Sequence, residues 1–300
     1  MTREDIEKIL SEKIANLKEL EKIGKNSDYI KELSEIAFFQ LEIEQYENSE
    51  TNFLICLKHF KKQFDRLGQA AVLGVLGTLY YKKAEYQKSI ENYQEALNNY
   101  KELNQNEEII ISLIGIGSSY IKLKLLNEAS EIFLECSSIC SANNDIYHLL
   151  DCIGNLIYIY ESQEKWDVVL ELYKKSLKGF KELKDKKEII VSYFNLGLLE
   201  KKQNEYENSL LYFKKGTNIA IEANYVEYIL KGLSYVGEVL MYQREFKEAK
   251  GQFIKALELA DKFKAKNAII QLKILLNSIG LSEKDIDNEL IKYKKEKLER

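Results

Sequence analysis

The 300-residue chain is 45% hydrophobic and 31% charged with a formal net charge of −4, a balance that supplies a buried core and excludes disorder as a description of the whole. It has no surplus of Lys and Arg to neutralise a phosphate backbone, so no nucleic-acid partner is expected. The complete absence of proline, with only 14 glycines, permits long helices everywhere and marks no linker, which predicts an all-α chain forming one continuous unit. No apolar run reaches the roughly 18 residues of a membrane span and the N-terminus is charged from Arg3 onward, so membrane insertion is not expected and the protein is read as cytoplasmic. The cysteines Cys56, Cys136, Cys140 and Cys152 show no disulfide spacing, which fits the same reducing compartment.

In chain order, residues 3–23 form one amphipathic helix with its stripe at Ile6, Leu10, Ile14, Leu17 and Leu20, so 1–26 is expected to cap the N-terminal end. Residues 27–265 then repeat with a period of 40, in six units. Large residues recur at Tyr46, Tyr86, Leu126, Trp166, Tyr206 and Phe246, and seven later at Phe53, Tyr93, Phe133, Tyr173, Phe213 and Phe253. Small residues follow the first ladder by three at Ser49, Ser89, Ala129, Ser209 and Ala249, with Val169 the exception, and a large-small pair such as Leu76-Gly77 or Leu196-Gly197 lies upstream. Spacings of 3, 4 and 7 predict two amphipathic helices per unit, A and B; in the second unit A covers about 69–82 and B about 85–103. In the fourth unit Ile157 and Val169 replace the small pair together, so that A/B contact should be wider. Residues 266–300 read as a degenerate seventh unit, with Gly280 where Tyr is expected, and a last helix opened by Ser282 with Asp285 three residues on.

The sequence Leu76-Gly77-x-x-Tyr80 followed by Ser89-x-x-x-Tyr93-x-x-Ala96 resembles the tetratricopeptide repeat, and the match extends over about residues 29–268. Two features depart from the family: the terminal Pro is missing, and each unit is 40 residues long against the family's roughly 34. The longest-helix members, kinesin light chains and Rap-type bacterial peptide receptors, are the most similar in that respect. The resemblance implies an α-solenoid, a right-handed superhelix of antiparallel hairpins, whose inner face is lined by A helices and binds protein.

Catalytic signatures are missing: His59 and His148 stand in different repeats and the glycines sit at packing positions, so neither an enzyme nor a cofactor is expected. Cys136, Cys140 and Cys152 are the nearest approach to a metal cluster, but Cys136 and Cys56 occupy the small core position of Ala96 and Ala256 and are read as buried small hydrophobes, so no metal site is expected. Lys82, Lys83, Lys122, Lys201 and Lys202 gather at the ends of A helices, where they offset the helix dipole and could attract an acidic ligand. Carrying the family's groove positions onto this chain places Glu35, Val75, Gly115, Asn155, Asn195 and Tyr235 in a first row and Phe38, Thr78, Ser118, Tyr158, Leu198 and Glu238 in a second. A third runs through Glu42, Lys82, Lys122, Ser162, Lys202 and Tyr242.

Asn155-Leu156 and Asn195-Leu196-Gly197 resemble the Asn-Leu-Gly by which long-helix members hold an extended peptide, since an amide offers donor and acceptor together. The expected peptide-binding groove is therefore Asn155 and Asn195, flanked by Tyr158, Phe194 and Tyr235, with Lys122 and Lys202 at the rim. The function implied is a non-catalytic scaffold holding an extended peptide or partner segment. Alternatives are a Rap-like peptide-gated regulator of another enzyme or transcription factor and a membrane-fusion-type adaptor.

Overall fold

The computed structural model describes residues 2–299, which contain fifteen α-helices and no strand. The chain divides into two compact units, Met1–Ile159 and Tyr160–Arg300, at a point inside one helix where the sequence offers neither Gly nor Pro as a signal.

The first unit opens with α1 (Arg3–Ile23), then α2 (Ser27–Glu42), α3 (Tyr46–Lys62), α4 (Arg66–Lys82), α5 (Tyr86–Glu102), α6 (Asn106–Lys122), α7 (Leu126–Ala142) and most of α8 (Ile146–Ser162). Even numbers from α2 are A helices and odd numbers from α3 are B helices. The stripe of α1 covers α2: Leu10, Ile36 and Ile43 are buried together against Ile6, Ile14, Leu17 and Phe39. The second unit holds α9 (Trp166–Glu182), α10 (Lys186–Lys202), α11 (Tyr206–Glu222), α12 (Val226–Tyr242), α13 (Phe246–Lys262), α14 (Lys266–Ser278) and α15 (Glu283–Leu298). Its core runs from Ile190 and Phe194 through Phe213, Val236 and Phe253 to Leu276 and Ile286. The capping box at Ser282 and Asp285 forms, and the lysine-rich C-terminal run stays helical as far as Leu298. It is held to α13 by Lys250–Glu289 at 2.5 Å and Lys294–Asp261 at 2.7 Å.

Helices α3 through α13 are each 17 residues long, and three residues join each pair. In the twelve connectors from α2–α3 to α13–α14 the middle residue is left-handed, from Glu44 (φ 64°) and Phe64 (φ 56°) at intervals of twenty to Lys264 (φ 55°), and none of the twelve is glycine. Ala84 shows why. Its N–H donates to the Tyr81 carbonyl at 3.0 Å and that of Glu85 to Tyr80 at 2.9 Å, which satisfies the last carbonyls of α4 in a Schellman arrangement. The same Glu85 is the N-cap of α5. The structural period is thus twenty, and the forty-residue repeat arises because A and B stripes differ.

In four repeats the aromatic of the B helix lies against a glycine of its A helix, while Ala37 and Ile157 stand at the glycine's place in the other two. A Cβ built on Gly77 would meet the Tyr93 ring at 2.7 Å, on Gly117 the Phe133 ring at 2.7 Å, on Gly197 the Phe213 ring at 2.7 Å, and on Gly237 the Phe253 ring at 2.4 Å. Small residues on B are more than spacers: Ser49 Oγ donates to the Ala37 carbonyl at 2.7 Å, Ser89 to Gly77 at 2.8 Å and Ser209 to Gly197 at 2.7 Å. Each hydroxyl, fully buried, spends its donor on the backbone of the helix it packs against.

Two substitutions separate packing from propensity. Gly77→Ala should cost about 1–3 kcal/mol, because Tyr93 has no free direction to move, whereas Gly74→Ala, with nothing within 4 Å of the added Cβ, should be neutral or stabilising by about 0.5–1 kcal/mol. Urea unfolding of both variants checks the contrast. Phe64, left-handed and 88% exposed, gives the opposite sign: Phe64→Gly should stabilise by about 1 kcal/mol and raise the melting temperature.

Candidate functional site

Because the B aromatics face one side of each A helix, the other side is left for solvent. The first groove row is half-buried at every position, Glu35, Val75, Gly115 and Asn155 in the first unit and Asn195 and Tyr235 in the second. Each unit has a cleft between successive A helices. In the first it is about 520 Å³, between α2 and α4, with Glu35, Phe38 and Val75 among its walls. In the second it is about 1070 Å³, between α12 and α14.

The larger cleft has an apolar floor of Leu230, Leu272 and Leu275 and a polar stripe on α12 formed by Glu227, Lys231, Ser234 and Glu238. Steps of four, three and four residues hold that stripe on one helical face. Glu227 accepts from Lys231 at 2.8 Å, which raises the lysine above its ordinary range and lowers the carboxyl. Glu238 is taken by Lys201 of α10 at 2.9 Å. Lys264 and Lys266, on the opposite wall, make no ion pair among the described residues, which leaves the cleft with surplus positive charge. The sequence reading missed this wall because α14 looked like a degenerate cap.

The residues expected to form the groove are distributed as follows. Asn195, on α10, makes no side-chain hydrogen bond among the described residues and keeps both amide functions of its side chain available. Asn155 in the first unit donates through Nδ2 to the Asp151 carbonyl of its own helix at 2.9 Å. Tyr158 is 57% exposed. Phe194 is not on the surface: it is 5% exposed, edge-on to Tyr235 at 5.5 Å, and it fills the space left by Gly216 and Gly232. The expectation that it flanks a ligand is corrected to a core role, and those two glycines were the signal. Tyr235 lines the cleft while stacking on Phe213 at 4.9 Å, so it is both wall and core lid.

The rim lysines divide in a way that adjacency alone does not reveal. Lys83 pairs with Glu50 at 2.8 Å and Lys201 with Glu238, while their neighbours Lys82 and Lys202, together with Lys122, are exposed and outside any ion pair among the described residues. Lys202 Nζ sits 3.6 Å over the Trp166 ring, a cation–π contact that holds the charge in place.

Two tetratricopeptide-repeat family models match, one over residues 32–102 and the other over 110–143 and 190–220. The matched segments are tetratricopeptide repeats. Regulatory protein RapD of Bacillus subtilis (strain 168) is 27% identical over 149 residues, which are 49% of this chain and 42% of RapD, so the match spans about two-fifths of that relative's length. Among solved structures, apo RapI covers 83% of this chain and 97% of its own at TM-score 0.55 and 15% identity. Aspartyl phosphate phosphatase F from Bacillus subtilis covers 89% and 75% at TM-score 0.56 and 15% identity. At those identities the structural likeness is one of fold. Repeats of this family make a protein-interaction scaffold, and no helix among the described residues is long and apolar enough to cross a membrane.

The two tyrosines should respond differently to truncation. Tyr235→Ala should lower stability by about 1–3 kcal/mol, because it uncovers Phe213 and removes a ring pair. Tyr158→Ala should change it by less than about 0.5 kcal/mol. Urea midpoints of the two variants measure the difference.

Proposed function

We propose that the chain binds an extended peptide, or an extended segment of a partner protein, along the A-helix face of its second unit, with α10, α12 and α14 as floor and walls. The observation that supports this most is the cleft of about 1070 Å³ between α12 and α14, apolar below and polar along one side. Asn195 occupies on α10 the register that Tyr235 occupies on α12, one repeat on. Its uncommitted amide can donate to and accept from a peptide main chain, while the cleft takes side chains. Lys202, Lys264 and Lys266 favour acidic residues in the bound segment. In the first unit Tyr158 and Lys122 offer an exposed ring and charge of the same kind, and Asn155, already bonded to its own helix, contributes less than Asn195.

A regulatory version of this reading draws on RapD, which is named a regulatory protein. In it, the segment bound in the cleft changes the chain's affinity for a second protein, and the two affinities change by the same factor.

Selection from a displayed random peptide library on the immobilised chain supplies a ligand for titration. Asn195→Ala should weaken that ligand by roughly three- to tenfold, from the loss of hydrogen bonds worth about 0.5–1.5 kcal/mol each, with the melting temperature unchanged. Replacing Lys264 and Lys266 by Gln should weaken it further at low salt than at high salt. Unchanged affinity in Asn195→Ala, or selected peptides without acidic residues, would contradict the assignment.

A further inference from the structure

Cys136 and Cys140 lie one turn apart on α7, and Cys152 faces them from α8. The placement follows from the connector: Cys136 and Cys152 are each eight residues from the left-handed turn residue Asn144, and in an antiparallel pair, residues equidistant from the turn lie opposite one another. The three sulfurs lie within 4.8 Å of one another, with Cys136 Sγ and Cys140 Sγ 4.0 Å apart. All three residues are 0% exposed.

No other repeat assembles this set. The same three places hold Ala96, Tyr100 and Ser112 one repeat earlier, and Ser176, Phe180 and Ser192 one repeat later. Cys56 occupies the Cys136 place in the first repeat and makes the same contact with a carbonyl, Ile30 at 3.7 Å against Ile110 at 3.8 Å, but Phe60 and Val72 stand where its partners would be. A small hydrophobe explains one buried cysteine per site. It does not explain three whose sulfurs converge, where an aromatic stands at Cys140's place in the adjoining repeats.

We propose that Cys136, Cys140 and Cys152 form a three-thiolate site for a thiophilic d10 metal ion, Zn2+ or Cu+. Metal–sulfur bonds of about 2.3 Å set sulfur–sulfur separations of about 3.8 Å in tetrahedral and about 4.0 Å in trigonal coordination, and the three thiols are within a small adjustment of either. Thiolate donors select these ions over hard cations. Each thiol releases its proton to solvent as the ion enters, so the ion exchanges for up to three protons. Zn2+ offsets two of the three negative charges and Cu+ one, which favours zinc in a dry interior. The supply of donors favours copper: Asp145, the first carboxylate after Cys140, is occupied by His148 through Nδ1 at 2.6 Å and through its backbone N–H at 3.1 Å, and Asp151, beside Cys152, is exposed to solvent.

The test uses the full chain, reduced and anaerobic, titrated separately with Zn2+ against a chromophoric zinc chelator and with Cu+ against a cuprous-selective chelator. Cys152→Ser and Cys136→Ser are the site variants, because Ser112, Ser192 and Ser176 show that neighbouring repeats accommodate serine at those places. Cys56→Ser is the control. One equivalent of one ion should bind with a sulfur-to-metal charge-transfer band, and its X-ray absorption should show three sulfur neighbours. Loss of an outer-sphere partner already costs about 10–100-fold, so removing a ligand in Cys152→Ser should cost about 100-fold or more, while Cys56→Ser leaves binding unchanged. Circular dichroism shows that each variant is folded. Whichever ion binds more tightly identifies the occupant. Binding of neither, or equal affinity in Cys152→Ser and the native chain, overturns the proposal.

Discussion

Four of the six repeat hairpins depend on one contact, an aromatic ring of the B helix set against a glycine of the A helix. Tyr93 on Gly77, Phe133 on Gly117, Phe213 on Gly197 and Phe253 on Gly237 leave no room for even a methyl group. This close approach brings the Ser89 and Ser209 hydroxyls within reach of the glycine carbonyls, so the buried polar groups are satisfied by the geometry that buries them. It also decides which side of each A helix remains open. The ring occupies one face, the next helix covers the flank, and what is left is a half-buried position such as Val75 in the first unit and Asn195 and Tyr235 in the second.

The fold was largely legible in the sequence because its physical determinants are size and spacing. A ring at Tyr93 and a glycine at Gly77 can be read directly, and their recurrence every forty residues shows the hairpin. The connectors were not legible. Left-handed backbone normally leaves a glycine as its mark, but here Glu44, Phe64, Ala84 and Lys184 adopt it, held by the Schellman hydrogen bonds at each helix end. The division at Ile159 and Tyr160 likewise leaves no composition signal.

The candidate site was legible in the sequence as one side of the A helices and less so as a set of residues. Register places Asn195 and Tyr235 at the same half-buried position of α10 and α12, because position within a helix determines direction. Depth is set by neighbours from other helices, and Phe194 is buried because Gly216 and Gly232 make way for it. Charge pairing is equally non-local: nothing in Lys201-Lys202 tells which lysine meets Glu238. Cys136, Cys140 and Cys152 stood out in the sequence as the nearest approach to a metal cluster and were set aside because Cys136 shares the small core position of Cys56, and only the pairing of α7 with α8 about Asn144 shows that their sulfurs converge.

The claim that function resides on the A-helix face is tested most directly by photo-cross-linking. A library-selected peptide carrying a photoreactive group would be irradiated with the purified chain and the attachment points mapped by mass spectrometry. The proposal predicts cross-links on α10, α12 and α14, concentrated around Asn195, Tyr235 and the Lys264–Lys266 wall. Cross-links confined to the B helices α11 and α13 would contradict it.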